Sequence, residues 1–273
     1  MTRINHFLAW AAALVTGLAS VGAAQADDAL KAALAGAQRA PAATARDAAR
    51  HPYETLSFFG IRPDMTVVEL SPGGGWYTEI LAPYLKPRGQ LILAGDDPES
   101  AVGYYRRSAE RMDKKLKADP ASFDRVRMAV FAPPAQLPYA AAGSVDMVLT
   151  FRNVHNWAAA GDEVVRAAFK SVFDSLKPGG VFGVVDHRLP TGRVQDAKAS
   201  SGYVHMAYVV KRAESAGFRL AAASEINANP KDTADHPGGV WALPPTYGNK
   251  DRDRARFEAI GESDRFTLKF VKP

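Results

Sequence analysis

Residues Thr66–Leu85 read TVVELSPGGGWYTEILAPYL, and this stretch decides the fold. Val67-Val68-Glu69-Leu70 is a short apolar run of the kind that forms a strand buried on both faces. A tight turn follows, Ser71-Pro72-Gly73-Gly74-Gly75, and then a helical pattern carried by Trp76, Ile80, Leu81 and Leu85. Strand, glycine turn and helix in that order make the phosphate- or nucleoside-binding corner of an open α/β sheet. The glycines let backbone come close to a ligand where a Cβ would clash, and the helix start offers free N–H groups. A glycine-rich turn that binds nothing is the alternative reading.

Small differences narrow the ligand. A dinucleotide fingerprint, G-x-G-x-x-G, needs a third glycine, and Thr78 stands in that place. No phosphate-binding G-x-x-x-x-G-K-(S/T) occurs anywhere in the chain. What remains is an acidic strand end, Glu69, followed by S-P-G-G-G-x-x-T. This resembles motif I of the class I S-adenosyl-L-methionine (SAM)-dependent methyltransferases, (D/E)-x-G-x-G-x-G. Gly73 and Gly75 match it, and Ser71 replaces the first glycine. The resemblance implies a cofactor corner formed by Glu69, Ser71, Gly73, Gly75 and Thr78, with Glu69 and the two glycines around the amino-acid end of SAM.

Downstream, Gln90–Ala94 reads as a second strand with Asp96 and Asp97 just beyond it. An acid at that place accepts ribose hydroxyls in nucleotide-binding α/β folds. Asp96 is the preferred candidate, since Asp97 before Pro98 also suits a helix cap. Pro98–Ala118 is predicted to be a helix that only covers the sheet, and Val126–Phe131 a third strand. Many methyltransferases carry an adenine-binding aspartate after that strand. This chain has none, so the resemblance leaves adenine to backbone groups and apolar packing.

The fourth strand, Met147–Thr150, ends in Phe151-Arg152-Asn153-Val154-His155-Asn156-Trp157. A polar-aromatic cluster there sits where open sheets place ligands, so Phe151, Arg152 and Asn153 are expected on the cleft floor. His155 is a candidate general base, its ordinary pKa being near neutral, or a structural hydrogen-bonding residue. Helix Asp162–Leu176 is closed by Lys177-Pro178-Gly179-Gly180, and a fifth strand, Val181–Val185, delivers Asp186 and His187 to the same edge. His155 and His187 with Asp186 could form a metal site, but no compact ligand spacing such as H-E-x-x-H is present, so none is expected. A helix over Tyr203–Ala216, a sixth strand over Phe218–Glu225, an irregular insertion over Asn227–Gly261 and a last strand over Arg265–Val271 complete the pattern. His236, Trp241 and Tyr247 are candidate walls of an acceptor pocket, or the insertion's own small core.

Seven strands with helices between them predict an α/β fold, a Rossmann-like, mostly parallel sheet with helices on both faces. The resemblance implies that the seventh strand inserts antiparallel beside the fifth. It spans about residues 50–273, and GGGWYTEILAPYL, TFRNVHNW and LKPGG together resemble a bacterial group of exported, predicted methyltransferases. Helices just before motif I often cover the cofactor in that family, which makes Tyr53 and Glu54 candidate contacts.

Composition sets the remaining bounds. With no cysteine among 273 residues, disulfides, thiolate metal sites and cysteine nucleophiles are excluded. The net charge of +5 is unclustered, and Arg106-Arg107 and Lys114-Lys115 read as a solvated helix face, so no nucleic-acid partner is expected. Residues 1–26 have the pattern of a signal peptide: Arg3, an apolar run from Phe7 to Leu18, and Ala24-Gln25-Ala26 before Asp27. The expected location is therefore periplasmic or secreted, with no stable membrane insertion after cleavage; an uncleaved anchor is the alternative. Residues 27–49 form an alanine-rich helical segment or linker ahead of the main domain. The function implied is methyl transfer from SAM to a small-molecule acceptor. Because SAM is made in the cytoplasm, the alternative is a periplasmic binding protein for a nucleoside-like ligand that keeps the fold without catalysis.

Overall fold

The computed structural model describes residues 27–273, and the signal-peptide expectation for residues 1–26 lies outside the described residues. Seven strands form one sheet: β1 Thr66–Leu70, β2 Gln90–Gly95, β3 Arg127–Val130, β4 Val145–Phe151, β5 Leu176–His187, β6 Arg219–Ser224 and β7 Arg265–Val271. Their order is β3-β2-β1-β4-β5-β7-β6. The pairs from β3 through β5 are parallel, and β7 runs antiparallel to both β5 and β6.

Period-two alternation sends successive side chains to opposite faces. Val67, Leu91, Leu93, Met147 and Leu149 enter one core, while Val68, Ile92, Ala94, Val148 and Val184 enter the other. This explains why the central strands read as unbroken apolar runs. The first core is closed by α1 (residues 27–35), α4 (Pro52–Phe59) and α5 (Thr78–Leu85), and the second by α8 (Val154–Ala160), α9 (Asp162–Ser175) and α10 (Met206–Ser215). Between α1 and α4 lie two single-turn helices, α2 (Pro41–Thr44) and α3 (Asp47–Arg50). The remaining helices are α6 (Gly103–Ala118), α7 (Pro120–Phe123) and α11 (Arg254–Ile260). Among the described residues no helix is long and apolar enough to cross a membrane.

The N-terminal segment is bonded to the sheet domain. Pro83 inside α5 has no N–H, so the Glu79 carbonyl loses its helical donor. Gln38 fills the gap, its Nε2 donating to that carbonyl at 2.9 Å. Trp76 Nε1 donates to the Ala43 carbonyl at 3.0 Å, and Leu30 and Ala33 are buried in the first core.

Several boundaries differ from the sequence reading for local reasons. Helix α4 starts at Pro52 rather than continuing α3, because a residue before proline avoids the right-handed helical region and His51 turns to φ +42°. The helix expected from Tyr203 begins at Met206, since Val204 bridges to Arg188 first. Lys177-Pro178-Gly179-Gly180 lies within β5, where the register against β4 shifts and Gly179, at φ +75°, donates to the Lys272 carbonyl. The insertion is more ordered than expected. It holds a 3-10 turn, Gly239–Ala242, and α11, which packs Phe257 on Ala242 and Leu243. Asp232 ties it down by accepting from Tyr203 Oη, His236 Nε2 and the N–H groups of Ala234 and Asp264.

Gly183 marks where α4 meets the sheet. A Cβ there would lie 2.6 Å from Leu149 Cδ2 and 3.0 Å from the Phe59 ring. Gly183→Ala is expected to lower stability by about 1–3 kcal/mol through overpacking, read as an earlier urea midpoint. An unchanged midpoint would show that α4 yields without cost.

Candidate functional site

At β1 the strand order reverses, with β2 on one side and β4 on the other, so a crevice opens beyond the C-terminal ends of these strands. The turn leaving β1 is left-handed at Ser71 (φ +49°), Gly73 (φ +57°) and Gly75 (φ +77°). At Ser71 this conformation costs about 1–3 kcal/mol, and surrounding bonds hold it. The Ser71 N–H donates to the Ala94 carbonyl at 2.8 Å. Asn153 Nδ2 bonds the carbonyls of Leu70 (3.1 Å) and Ser71 (3.3 Å) and Thr150 Oγ1 (3.0 Å), joining the ends of β1 and β4. The two matching glycines differ in role. No heavy atom lies within 4 Å of a Cβ placed on Gly73, which faces open space. One on Gly75 would meet Met112 and Thr78 at 3.2–3.3 Å, so that glycine serves packing.

The crevice is a cleft of about 400 Å³ bordered by Ser71, Gly73, Asp96, Asp97 and Asn153. Asp97 is occupied with its own loop, accepting from the Glu99 N–H (2.9 Å) and Gln136 Nε2 (3.3 Å). Asp96 is half-buried, and among the described residues its carboxylate has no hydrogen-bond partner. Phe131, Ala132 and Pro133 supply the apolar end. One expectation is corrected here: α6 does more than cover the sheet, because Tyr104, Tyr105 and Ser108 line the cleft beside Asn156 and Trp157. A second cavity of about 330 Å³ under Leu137–Ala140 lies away from the strand ends. Its ionisable groups, Lys170 and Asp174, pair with each other.

Glu69, Phe151 and Arg152 do not border the main cleft. They line a narrow gap next to it, with Ser71, Trp76 and Tyr77. The rings of Tyr77 and Phe151 stack there at 3.5 Å. Thr78 is likewise buried away from the cleft and donates to Glu69 Oε2 at 2.6 Å. Burial pushes the Glu69 carboxyl up to about 8, against the pull of Thr78, Lys115 and Arg152.

His155, Asp186 and His187 are brought together at the ends of β4 and β5, outside the main cleft. Asp186 is fully buried and accepts from His155 Nδ1 (2.8 Å) and from the backbone N–H groups of His155 (3.1 Å) and His187 (2.8 Å). A carboxylate only accepts, so Nδ1 of His155 carries a proton in this pair. His187 Nδ1 meets Ser263 Oγ at 2.6 Å. Burial, then His155 and the arginines nearby, pushes the His187 pKa well below its ordinary value, so the ring is neutral. The three residues offer ligand atoms within 4.8 Å of one another. Both Nδ1 atoms are hydrogen-bonded, and among the described residues neither Nε2 atom has a hydrogen-bond partner.

The proposed acceptor walls separate. Trp241 reaches the His155 ring (6.2 Å). His236 is committed to Asp232, and Tyr247 stacks with Arg254, so both belong to the insertion. Tyr53 bonds Asp27 rather than facing the cleft, and neither it nor Glu54 borders it. Buried Arg50, at the end of α3, lies over the Trp76 ring at 4.7 Å, a contact no sequence signal indicated. Arg46, Arg50 and Arg265 all pair with Glu262, more than 200 residues from the first two in sequence.

No protein-family model and no curated protein matches the chain. Solved structures do. A SAM-dependent methyltransferase from Aquifex aeolicus is 14% identical over 84% of this chain and 93% of its own, with a TM-score of 0.53. The geranyl diphosphate C-methyltransferase of Streptomyces coelicolor A3(2), solved with Mg2+, geranyl diphosphate and S-adenosyl-L-homocysteine, is 14% identical over 89% and 88%, with a TM-score of 0.56. The chain has the class I methyltransferase fold. The cyclase SpnF is equally similar, 14% identical over 83% and 81% with a TM-score of 0.55, so this fold hosts more than one chemistry.

The raised Glu69 pKa has a thermodynamic signature. Between about 4.5, its ordinary value, and about 8, the folded state holds a proton that the unfolded chain has lost. Stability therefore falls as pH rises through that window. Glu69→Gln removes this linkage and should be more stable than the native chain at pH 7, by about 3 kcal/mol at 1.36 kcal/mol per pH unit above the ordinary value, and equal to it near pH 4. Urea unfolding across the window checks it; parallel curves for the two proteins would refute the assignment.

Proposed function

We propose that the protein is a SAM-dependent methyltransferase acting on a small-molecule acceptor. Its place is outside the cytoplasm as a member of an exported bacterial group, with residues 27–49 an N-terminal segment and residues 50–273 the catalytic domain. The observation that carries the activity is the cleft at the β1 reversal, where Gly73 leaves open space and Asp96 stands without a partner among the described residues. These residues fit a nucleoside-bearing ligand with an amino-acid tail. Asp96 suits the ribose hydroxyls, Phe131 and Pro133 the base, and Gly73 a close backbone approach. Glu69, its carboxyl pushed up by burial, would ionise beside an ammonium group. The exported location is supported by the signal-like pattern of residues 1–26.

When bound, SAM supplies an activated methyl group, so the chain's main task is alignment. Asp186 holds the His155 ring in one tautomer through Nδ1, leaving Nε2 to take a proton from the acceptor. Neutral His187 beside it, 5.0 Å between ring centres, adds no competing charge. Exposed Trp241 stands edge-on to the His155 ring on this side.

Calorimetric titration of SAM and S-adenosylhomocysteine into the purified protein tests the reading. Micromolar binding is expected, and a folded protein that binds neither refutes it. Glu69→Ala should abolish that binding. His155→Ala should keep SAM affinity and lose turnover by about 10²–10⁴-fold, the usual contribution of a general base. Full activity in that variant would remove His155 from the reaction.

A further inference from the structure

Four guanidinium groups, those of Arg46, Arg50, Arg152 and Arg265, gather beside the narrow gap, and the one carboxylate paired within the group is Glu262. Burial opposes ionisation of that carboxyl, yet Arg50, Arg265 and Arg46 hold it down at about 2. The neighbouring acids add little. Asp47 is taken up by a two-pronged pair with Arg39 (2.6 and 2.8 Å), and Glu69 is largely protonated at neutral pH. Four cations thus face one anion in a region where Arg50 and Arg265 are each only 2% exposed.

Unmatched buried charge costs several kcal/mol per ion, so a fold keeps it only where something compensates. Two observations place the missing partner. Arg50 Nη1 is buried with no hydrogen-bond partner. Arg152 pairs with no carboxylate among the described residues, and its left-handed backbone (φ +64°), fixed by its N–H on the Val185 carbonyl at 2.7 Å, holds it at the strand end. Arg152 also links the two halves of the site. It shares the gap with Glu69, and its charge bears on His187 together with those of Arg265 and Arg50.

We propose that this cluster is an oxyanion subsite, with Arg152 and Arg50 binding a carboxylate or phosphate group of the methyl acceptor; the acceptor is then an organic anion. The inference rests on the methyltransferase reading above. Planar guanidinium forks bind such groups in pairs of charge-assisted hydrogen bonds and stay charged when buried, which lysine does less well. An anion there would relieve the repulsion among the arginines and lie on the His155–His187 side of the cofactor gap. The amino-acid carboxylate of the cofactor has the same chemistry, so the test must separate the two sources.

Trp76 provides a reporter, because Arg50 lies over its ring at 4.7 Å and Arg39 at 5.1 Å. Succinate and inorganic phosphate are titrated into the full chain saturated with S-adenosylhomocysteine, followed by fluorescence, with Trp76→Phe as control, and by calorimetry. At least one anion should bind, Arg152→Gln should weaken it about tenfold or more, and Arg152→Lys should recover part of the loss. S-adenosylhomocysteine affinity should stay within about threefold in both variants. No anion binding to the saturated native protein, or no effect of Arg152→Gln, overturns the proposal. So does a tenfold loss of S-adenosylhomocysteine binding in Arg152→Gln that methylthioadenosine, which lacks the carboxylate, does not share; the arginines then serve the cofactor. Failure of S-adenosylhomocysteine to bind at all overturns the methyltransferase reading instead, and the same titration without it decides whether the oxyanion site exists.

Discussion

The turn that leaves β1 is the constraint from which the site is built. Within seven residues the chain passes from a largely buried strand to a largely buried helix, and it does so through left-handed conformations at Ser71, Gly73 and Gly75. Two of these are glycines and adopt them freely. Ser71 is held by its N–H bond to β2 and by Asn153 reaching over from β4. That one amide ties the two strands flanking the reversal, so the cleft floor is a bonded unit. A nucleoside-sized space then exists before any ligand arrives, as preorganised binding requires.

Around this rigid corner, charge is buried on both sides, and the two sides are handled differently. Glu69 escapes the cost of burial by holding its proton, whereas the arginines behind it stay ionised and share Glu262. The same arginines fasten the N-terminal segment to the far end of the chain: Arg265 donates to the Ala49 carbonyl and Arg46 to Glu262. Trp76, between Arg39 and Arg50, couples that fastening to the glycine turn. Residues 27–50 are therefore bonded into the sheet domain rather than an appendage.

The strands were legible in the sequence chiefly because β1, β2 and β4 are almost wholly buried and β6 alternates, and both patterns survive any tertiary arrangement. Helix ends were less so. His51 yields to Pro52, Val204 prefers a bridge to Arg188, and the Lys177–Gly180 turn is absorbed into β5 by contacts from the last strand. Propensity cannot see such partners. Within the site, the turn residues, Asp96 and Asn153 were found because strand ends in an open sheet face the cleft. Tyr104, Tyr105 and Ser108 were missed because only the approach of α6 makes them lining residues. His236 and Tyr247, although polar-aromatic and in a loop, turned to the insertion's own packing.

By itself the sequence determined the strand-turn-helix corner, the element order of an open α/β sheet and the absence of thiol chemistry, since periodicity, glycine placement and composition are local properties of the chain. Tertiary structure alone decided that Asp186 orients His155, that His187 stands neutral beside it, and that Arg46 and Arg50 meet Arg265 and Glu262 from more than 200 residues away. The physical reason is that proton positions and charge balance depend on burial and on neighbours in space. No spacing in the chain encodes those.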